Sequence, residues 1–229
     1  MKQIAVFGLL VLLACAGSST VSAQDSAATP AQAEGEVSVI SFDVASPAET
    51  KFGFIRTTIA PGGSYSLSAG SAPAVRYVEN GTLTVESDDL TIVGASSATP
   101  AAASAGVVSL EAGTAFVVAE GGSAELRNES ADPVNVLDFL SASDATVANE
   151  TDVTHLVLAQ QDYQLPAGPV TVTLARTTLD SGEQFEWPAD PATTMLYPLD
   201  RADAFQLTGQ GFNRGQNVIE IYALTIAPV

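Results

Sequence analysis

From Val37 onward, short runs rich in Val, Ile, Leu, Thr, Phe and Tyr alternate with clusters of Gly, Pro, Asn and Asp. The 3.6-residue apolar spacing of an amphipathic helix is scarcely to be found, so the pattern predicts an all-β sandwich or barrel. Strands are expected over residues 37–42, 54–59, 64–68, 75–79, 82–85, 90–93, 107–110, 115–118, 124–128 and 134–140. After a link they resume over 153–159, 170–179, 184–187, 195–199, 204–207 and 218–226. Residues 96–106 (Ser-Ser-Ala-Thr-Pro-Ala-Ala-Ala-Ser-Ala-Gly) have low complexity and predict a mobile surface loop.

The stretch 56–85 organises the rest. It reads as strand, Pro61-Gly62-Gly63 turn, strand, break at Pro73, strand, Asn80-Gly81 turn, strand. Asn-Gly between two apolar runs is the strongest local signal for a two-residue hairpin, because both central residues must accept positive φ. An echo follows 120 residues later: Arg56-Thr57-Thr58-Ile59 recurs as Arg176-Thr177-Thr178-Leu179, Gly62 as Gly182, Tyr65 as Phe185 and Tyr77 as Tyr197.

Residues 1–23 have the form of an export signal: Lys2, an apolar run from Ile4 to Ala16, then Val21-Ser22-Ala23 as a small-residue cleavage site. The run is too short for a retained membrane span. A second reading competes, since Leu12-Leu13-Ala14-Cys15 resembles a bacterial lipobox in which Cys15 would be acylated. Cleavage after Ala23 is preferred, and both readings place the protein outside the cytoplasm, secreted or in the cell envelope. Residues 24–36 are Ala/Ser/Pro-rich and predict a linker, or a tether if Cys15 carries lipid.

Cys15 is the single cysteine, so a domain released from its leader has no disulfide and must draw its stability from burial. The net charge is −18, and losing Lys2 with the leader leaves seven basic against 26 acidic residues. So acidic a chain gains nothing from phosphates, which argues against nucleic acid and against anionic membrane surfaces. The one membrane association expected is a lipid anchor at Cys15.

Pro61-Gly62 to Gly81, and Leu110-Glu111-Ala112-Gly113 through Leu126-Arg127-Asn128, resemble in length and turns the two motifs of the cupin superfamily. The resemblance covers residues 37–140 well. It implies an all-β, cupin-like double-stranded β-helix (a jelly-roll barrel) over 37–145, and the echo implies a second, shortened cupin-like unit over 150–229, a degenerate bicupin. Most cupin enzymes hold a divalent metal through three His and a Glu. Counted along the motifs, those positions hold Ser68, Gly70, Ala124 and Ala74 here, and the single histidine, His155, lies outside both motifs. No metal, cofactor or catalytic residue is therefore expected.

Strand alternation with the parity of the lost ligands would turn Ser66, Ser68, Arg76, Val78, Ala124 and Leu126 into the lumen. Arg76 could hold a carboxylate or sugar acid through a bidentate contact, although an ion pair with a neighbouring acid is the simpler expectation. Phe185, Trp187 and Tyr197 could form an aromatic surface for a sugar or a partner, or pack in a core. Asn80, Asn128 and Asn149 stand in Asn-x-Ser/Thr triplets and are read as turn residues. The sequence thus suggests an exported, non-catalytic module that binds a small molecule or serves structurally. The alternatives are a metal-independent enzyme acting on a sugar or small acid, and an envelope lipoprotein mediating protein interaction. Cupins are often dimers through edge strands, so the resemblance implies a homodimer, or else a second unit that satisfies that contact internally.

Overall fold

The computed structural model describes residues 37–93, 106–186, 194–198, 210–212 and 218–228. The leader, Cys15, the linker, Trp187 and the expected strand 204–207 lie outside the described residues, as does nearly all of the expected loop 96–106. In chain order the strands are β1 (Val37–Val44), β2 (Ala48–Ser68), β3 (Ala74–Asn80), β4 (Thr82–Ser87), β5 (Leu90–Val93), β6 (Gly106–Glu111), β7 (Ala115–Val118) and β8 (Ser123–Arg127). They continue with β9 (Val134–Ala142), β10 (Thr146–Leu165), β11 (Gly168–Leu179), β12 (Gln184–Glu186), β13 (Thr194–Pro198), β14 (Gln210–Phe212) and β15 (Ile219–Pro228).

The fold is all-β, a curled half-barrel sheet packed against a smaller one. Nine strands form one curled sheet in the order β5-β7-β3-β9-β2-β8-β4-β6, with β10 along the other edge of β2. Four more form a second sheet, β1-β11-β15-β13, and β12 pairs β14 separately. The long β2 makes the curl. Its first part, Thr50 to Ile59, pairs β9, and its last part, Ser64 to Ser68, pairs β8. Pro61-Gly62-Gly63 is thus a corner within one strand, where the sequence suggested a turn between two. Gly62 adopts φ 76° there, and a Cβ on Gly63 would lie 2.9 Å from the carbonyl oxygens of Ala60, Thr151 and Asp152. Glycine meets both demands without steric cost.

The Asn80-Gly81 hairpin is corrected. Gly81 does take φ 79°, yet β3 pairs β7 and β9 while β4 pairs β6 and β8. Both edges of each strand are occupied by others, so the tight turn carries the chain from one face of the barrel to the other. Local turn chemistry gave the bend and not the partner.

Two cores result. Ile59, Tyr65, Leu67, Ala69, Ala74, Val78, Leu83, Phe116, Ala124 and Leu126 belong to the cluster inside the curl. The opposite faces of β2, β3 and β9 present Phe52, Phe54, Val75, Tyr77, Leu137 and Phe139 to Ile40, Val172, Leu174, Met195, Tyr197, Tyr222 and Leu224 of the four-stranded sheet. Each of these large side chains contributes about 1.5–3 kcal/mol by leaving water. Two strands cross the boundary that the sequence echo suggests between the units. β1 pairs β11, and β10 pairs β2 along nearly its whole length.

Candidate functional site

Among the described residues, the inside of the barrel carries one charged pair, Arg76 and Asp138. Along β3, Ala74 and Val78 enter the lumen cluster while Val75 and Tyr77 enter the other core, so Arg76 shares the inward parity and is 2% exposed. Its Nε meets Asp138 Oδ1 of β9, itself 7% exposed. Burial alone would lower the guanidinium pKa, but Asp138, and after it Tyr65, outweigh that and raise it above the ordinary arginine value. The simpler expectation for Arg76, an ion pair, is the one observed.

Tyr65 lies beside this pair. Its hydroxyl and Arg76 Nη1 are buried in the same polar group, with Thr57 beside them. Burial, reinforced by the Asp138 carboxylate, pushes the phenol far above its usual range. On the other carboxylate oxygen a chain of contacts runs outward. Thr57 Oγ1 donates to Asp138 Oδ2 at 3.0 Å and lies 2.9 Å from His155 Nδ1, and His155 Nε2 is 3.1 Å from Glu150 Oε1 at the surface. The His155 ring stands T-shaped to Tyr65 with centroids 5.8 Å apart. β2, β3, β9 and β10 thus build one polar file, Arg76–Asp138–Thr57–His155–Glu150.

The remaining expected lumen residues divide. Val78, Ala124 and Leu126 point inward and are packed, at 0%, 5% and 0% exposure. Ser66 and Ser68 do not. On β2 it is Tyr65 and Leu67 that alternate into the core, Leu67 opposite Ala124, while Ser68 sits opposite Ser123. The motif count was one residue out of register, and a one-residue slip moves every side chain to the other face. The inward positions are therefore Leu67 and Ala69, neither a metal donor. Gly70 lies beyond the strand in a turn with φ 72°, where Asp144 Oδ1 accepts from both the Ser71 amide and its hydroxyl at 2.9 Å. Ser66 instead faces a shallow outer cleft of about 320 Å³ with Glu86, Asp88, Ser123 and Glu125.

Of the expected aromatic surface, the described side chains include Tyr197 alone, and it is not at the surface. Tyr197 is 2% exposed, held between Phe54, at 5.6 Å between centroids, and Arg56, whose guanidinium carbon lies 5.5 Å from its ring centroid. Pairing of β13 with β15 seals it into the core between the sheets. Phe185 lies on β12, which pairs with β14. Asn128 is confirmed as a turn residue. It is 1% exposed, donates to the Ile59 and Asp132 carbonyls at 2.9 and 2.8 Å, and accepts from the Ser130 amide and hydroxyl.

Sequence reasoning missed Asp138, Thr57, Tyr65 and Glu150, and it set His155 apart from the barrel. A signal for Asp138 was present. It shares the parity of Val134 and Val136 in an apolar strand, and an inward acid needs one of very few cations. The place of His155 depends on the pairing of β10 with β2, a long-range contact that no local pattern encodes.

No protein-family model matches this sequence, and no curated protein does. Among solved structures, AerE from Microcystis aeruginosa is similar at TM-score 0.44 and 11% identity, over 85% of this chain and 100% of that one. YhaK from Escherichia coli gives 0.41 and 16% over 83% and 94%. The 11S allergen from Cocos nucifera gives 0.36 and 9% over 82% and 88%.

Proposed function

We propose that this is an exported, non-catalytic cupin-like module whose barrel has become a packed structural core. The observation that carries the reading is the filling of the lumen: Ala74, Val78, Ala124 and Leu126 pack in one cluster with Leu83 and Phe116, and Arg76, the one cation there among the described residues, is neutralised by Asp138. A second observation supports it. Lys51, Arg56, Arg76, Arg127 and Arg176, the basic residues of the described regions, are each ion-paired with a carboxylate, so no free cation there awaits an anionic ligand. The inward residues that stand where cupin ligands would, Leu67, Ala69, Ala74 and Ala124, offer no metal donor. Export through cleavage after Ala23, or anchoring through Cys15, completes the proposal.

The test is metal content of the purified mature protein together with a thermal-shift screen of divalent ions, sugars and small carboxylic acids. The expected result is no stoichiometric metal and no compound class that raises the melting temperature, since a ligand specific for the native state would do so. Stabilisation by acids that disappears in Arg76→Met/Asp138→Leu would instead establish a binding pocket. The alternative of a metal-independent enzyme draws on one observation, the contact of His155 with Thr57 beside Asp138. Turnover of a sugar or small acid, lost in His155→Gln, would decide for it.

A further inference from the structure

The hydroxyl of Thr57 has one proton, and the carboxylate of Asp138, ion-paired to Arg76, can only accept. Thr57 therefore donates to Asp138 and must accept from His155, which places a proton on Nδ1. At the other side of the ring, Nε2 faces the exposed carboxylate of Glu150 at 3.1 Å, and that contact is a hydrogen bond only if Nε2 is protonated too. Both bonds together require the imidazolium. The neutral ring can keep one of them.

Glu150 reaches His155 because β10 is kinked between them. The pairing with β2 shifts between Ala148 and Thr151 and again between Thr151 and Val153. Asn149 and Asp152 both adopt left-handed φ, 55° and 52°, which costs energy for residues other than glycine. The kink rests on the corner of β2, where Gly63 leaves room for the Thr151 and Asp152 carbonyls. Asn149 Nδ2 also donates to Ser66 Oγ, at 3.1 Å. Charged and titratable groups facing the ring are Glu150 from its own strand, Tyr65 from β2, and, behind Thr57, Asp138 from β9 and Arg76 from β3.

We propose that His155 is a proton-operated latch: the doubly protonated ring clamps the kinked segment 149–152 onto the Gly62-Gly63 corner, and loss of the Nε2 proton releases it. Closed, the ring stands over Tyr65, which is 1% exposed beside Arg76. Released, the strained segment lifts first, because one side-chain bond fewer holds it. A barrel end closed while Nε2 carries its proton and loosened once that proton is lost follows.

His155 is the single histidine, so selective 15N labelling of the full-length mature protein reports one ring. The neutral ring is expected to keep its proton on Nδ1, the less common tautomer, because Thr57 is committed to Asp138. Amide exchange over residues 149–153, corrected for intrinsic base catalysis, should rise roughly fivefold between about pH 5 and about pH 8, as one exposed charge-assisted bond is lost. Glu150→Gln, a surface change that leaves the core intact, should flatten that rise. Thr57→Val should move the neutral proton to Nε2; should that variant fail to fold, Thr57→Ser should keep the wild-type tautomer. A neutral Nε2–H ring in the wild type, or a corrected exchange rate independent of pH, would overturn the latch.

Discussion

The guanidinium of Arg56 lies over the ring of Tyr197, 5.5 Å from its centroid, and so joins the curled sheet to the four-stranded one. The same chain forks onto Glu79 through Nε and Nη2 at 2.8 and 2.7 Å. Arg176, the matching arginine of the sequence echo, pairs with Glu220 at 2.6 Å.

This relationship gives the first prediction. Arg56→Lys keeps the charge and loses the fork and the stacked plane, and should cost about 1 kcal/mol. The pair is part-exposed, so solvent screening keeps the figure low. A double-mutant cycle of Arg56→Ala with Tyr197→Leu, followed by urea unfolding, should return a coupling of about 0.5–1 kcal/mol. Additive losses would mean that the stacking contributes nothing.

Asp138 is the sharper case. Asp138→Asn leaves Arg76 charged and buried without its counter-ion and should cost about 3–5 kcal/mol. Replacing both at once, Arg76→Met with Asp138→Leu, should recover most of that stability, because an apolar pair of similar size suits a dry lumen. Chemical denaturation of the three variants checks the order. A double variant as unstable as the single one would show that the charge pair specifies the barrel rather than merely filling it.

Asn128 joins the corner of β2 to the turn after β8 through four hydrogen bonds. Asn128→Ala should cost about 2–4 kcal/mol, since the Ile59 and Asp132 carbonyls and the Ser130 amide lose their partner. The melting temperature measures it. The same burial predicts that the folded protein cannot be glycosylated at this triplet.

The Ser71 backbone amide, followed by its hydroxyl, holds the exposed Asp144 carboxyl below the ordinary carboxylate range. A depressed folded pKa means stability that is present above the unfolded value, about 3.9, and is lost as pH falls through the folded one. Asp144→Asn keeps an acceptor and removes the titration. Melting curves of the two proteins should therefore differ near neutrality and converge below about pH 3.

Gly53 is the place where a single methyl should do most harm. A Cβ there would meet the Ala159 carbonyl oxygen of β10, which is backbone and cannot swing away. Gly53→Ala should cost about 1–3 kcal/mol by overpacking, read as a lowered denaturation midpoint.

These residues also show what local pattern can and cannot convey. Alternation along β3 turned Ala74, Arg76 and Val78 to one side correctly, because a strand buried on both faces still keeps its period of two. Counting along a motif failed for Ser66 and Ser68, because spacing carries no information about which face a strand presents after a corner. Asn80-Gly81 specified its own dihedrals and misled about pairing, which depends on β7, β9, β6 and β8 arriving from elsewhere. His155 was out of reach for the same reason: the register Thr57↔His155 joins positions 98 residues apart. Charge scarcity could have narrowed the search, since a buried acid in so acidic a chain has few cations to choose from.

The pairing of β1 with β11 bears on how the chain comes to be folded. Val37 finds its partner at Ala175, and Val44 at Gly168. β1, the first of the described strands to leave a ribosome, therefore waits, unpaired, until more than half of the chain has followed it. Its neighbour β2 meets β10 under the same delay. Closure over such sequence distances is slow and leaves apolar edges uncovered meanwhile. A chain with this topology gains from like charges that keep waiting strands apart, and the surplus of acidic side chains supplies that repulsion.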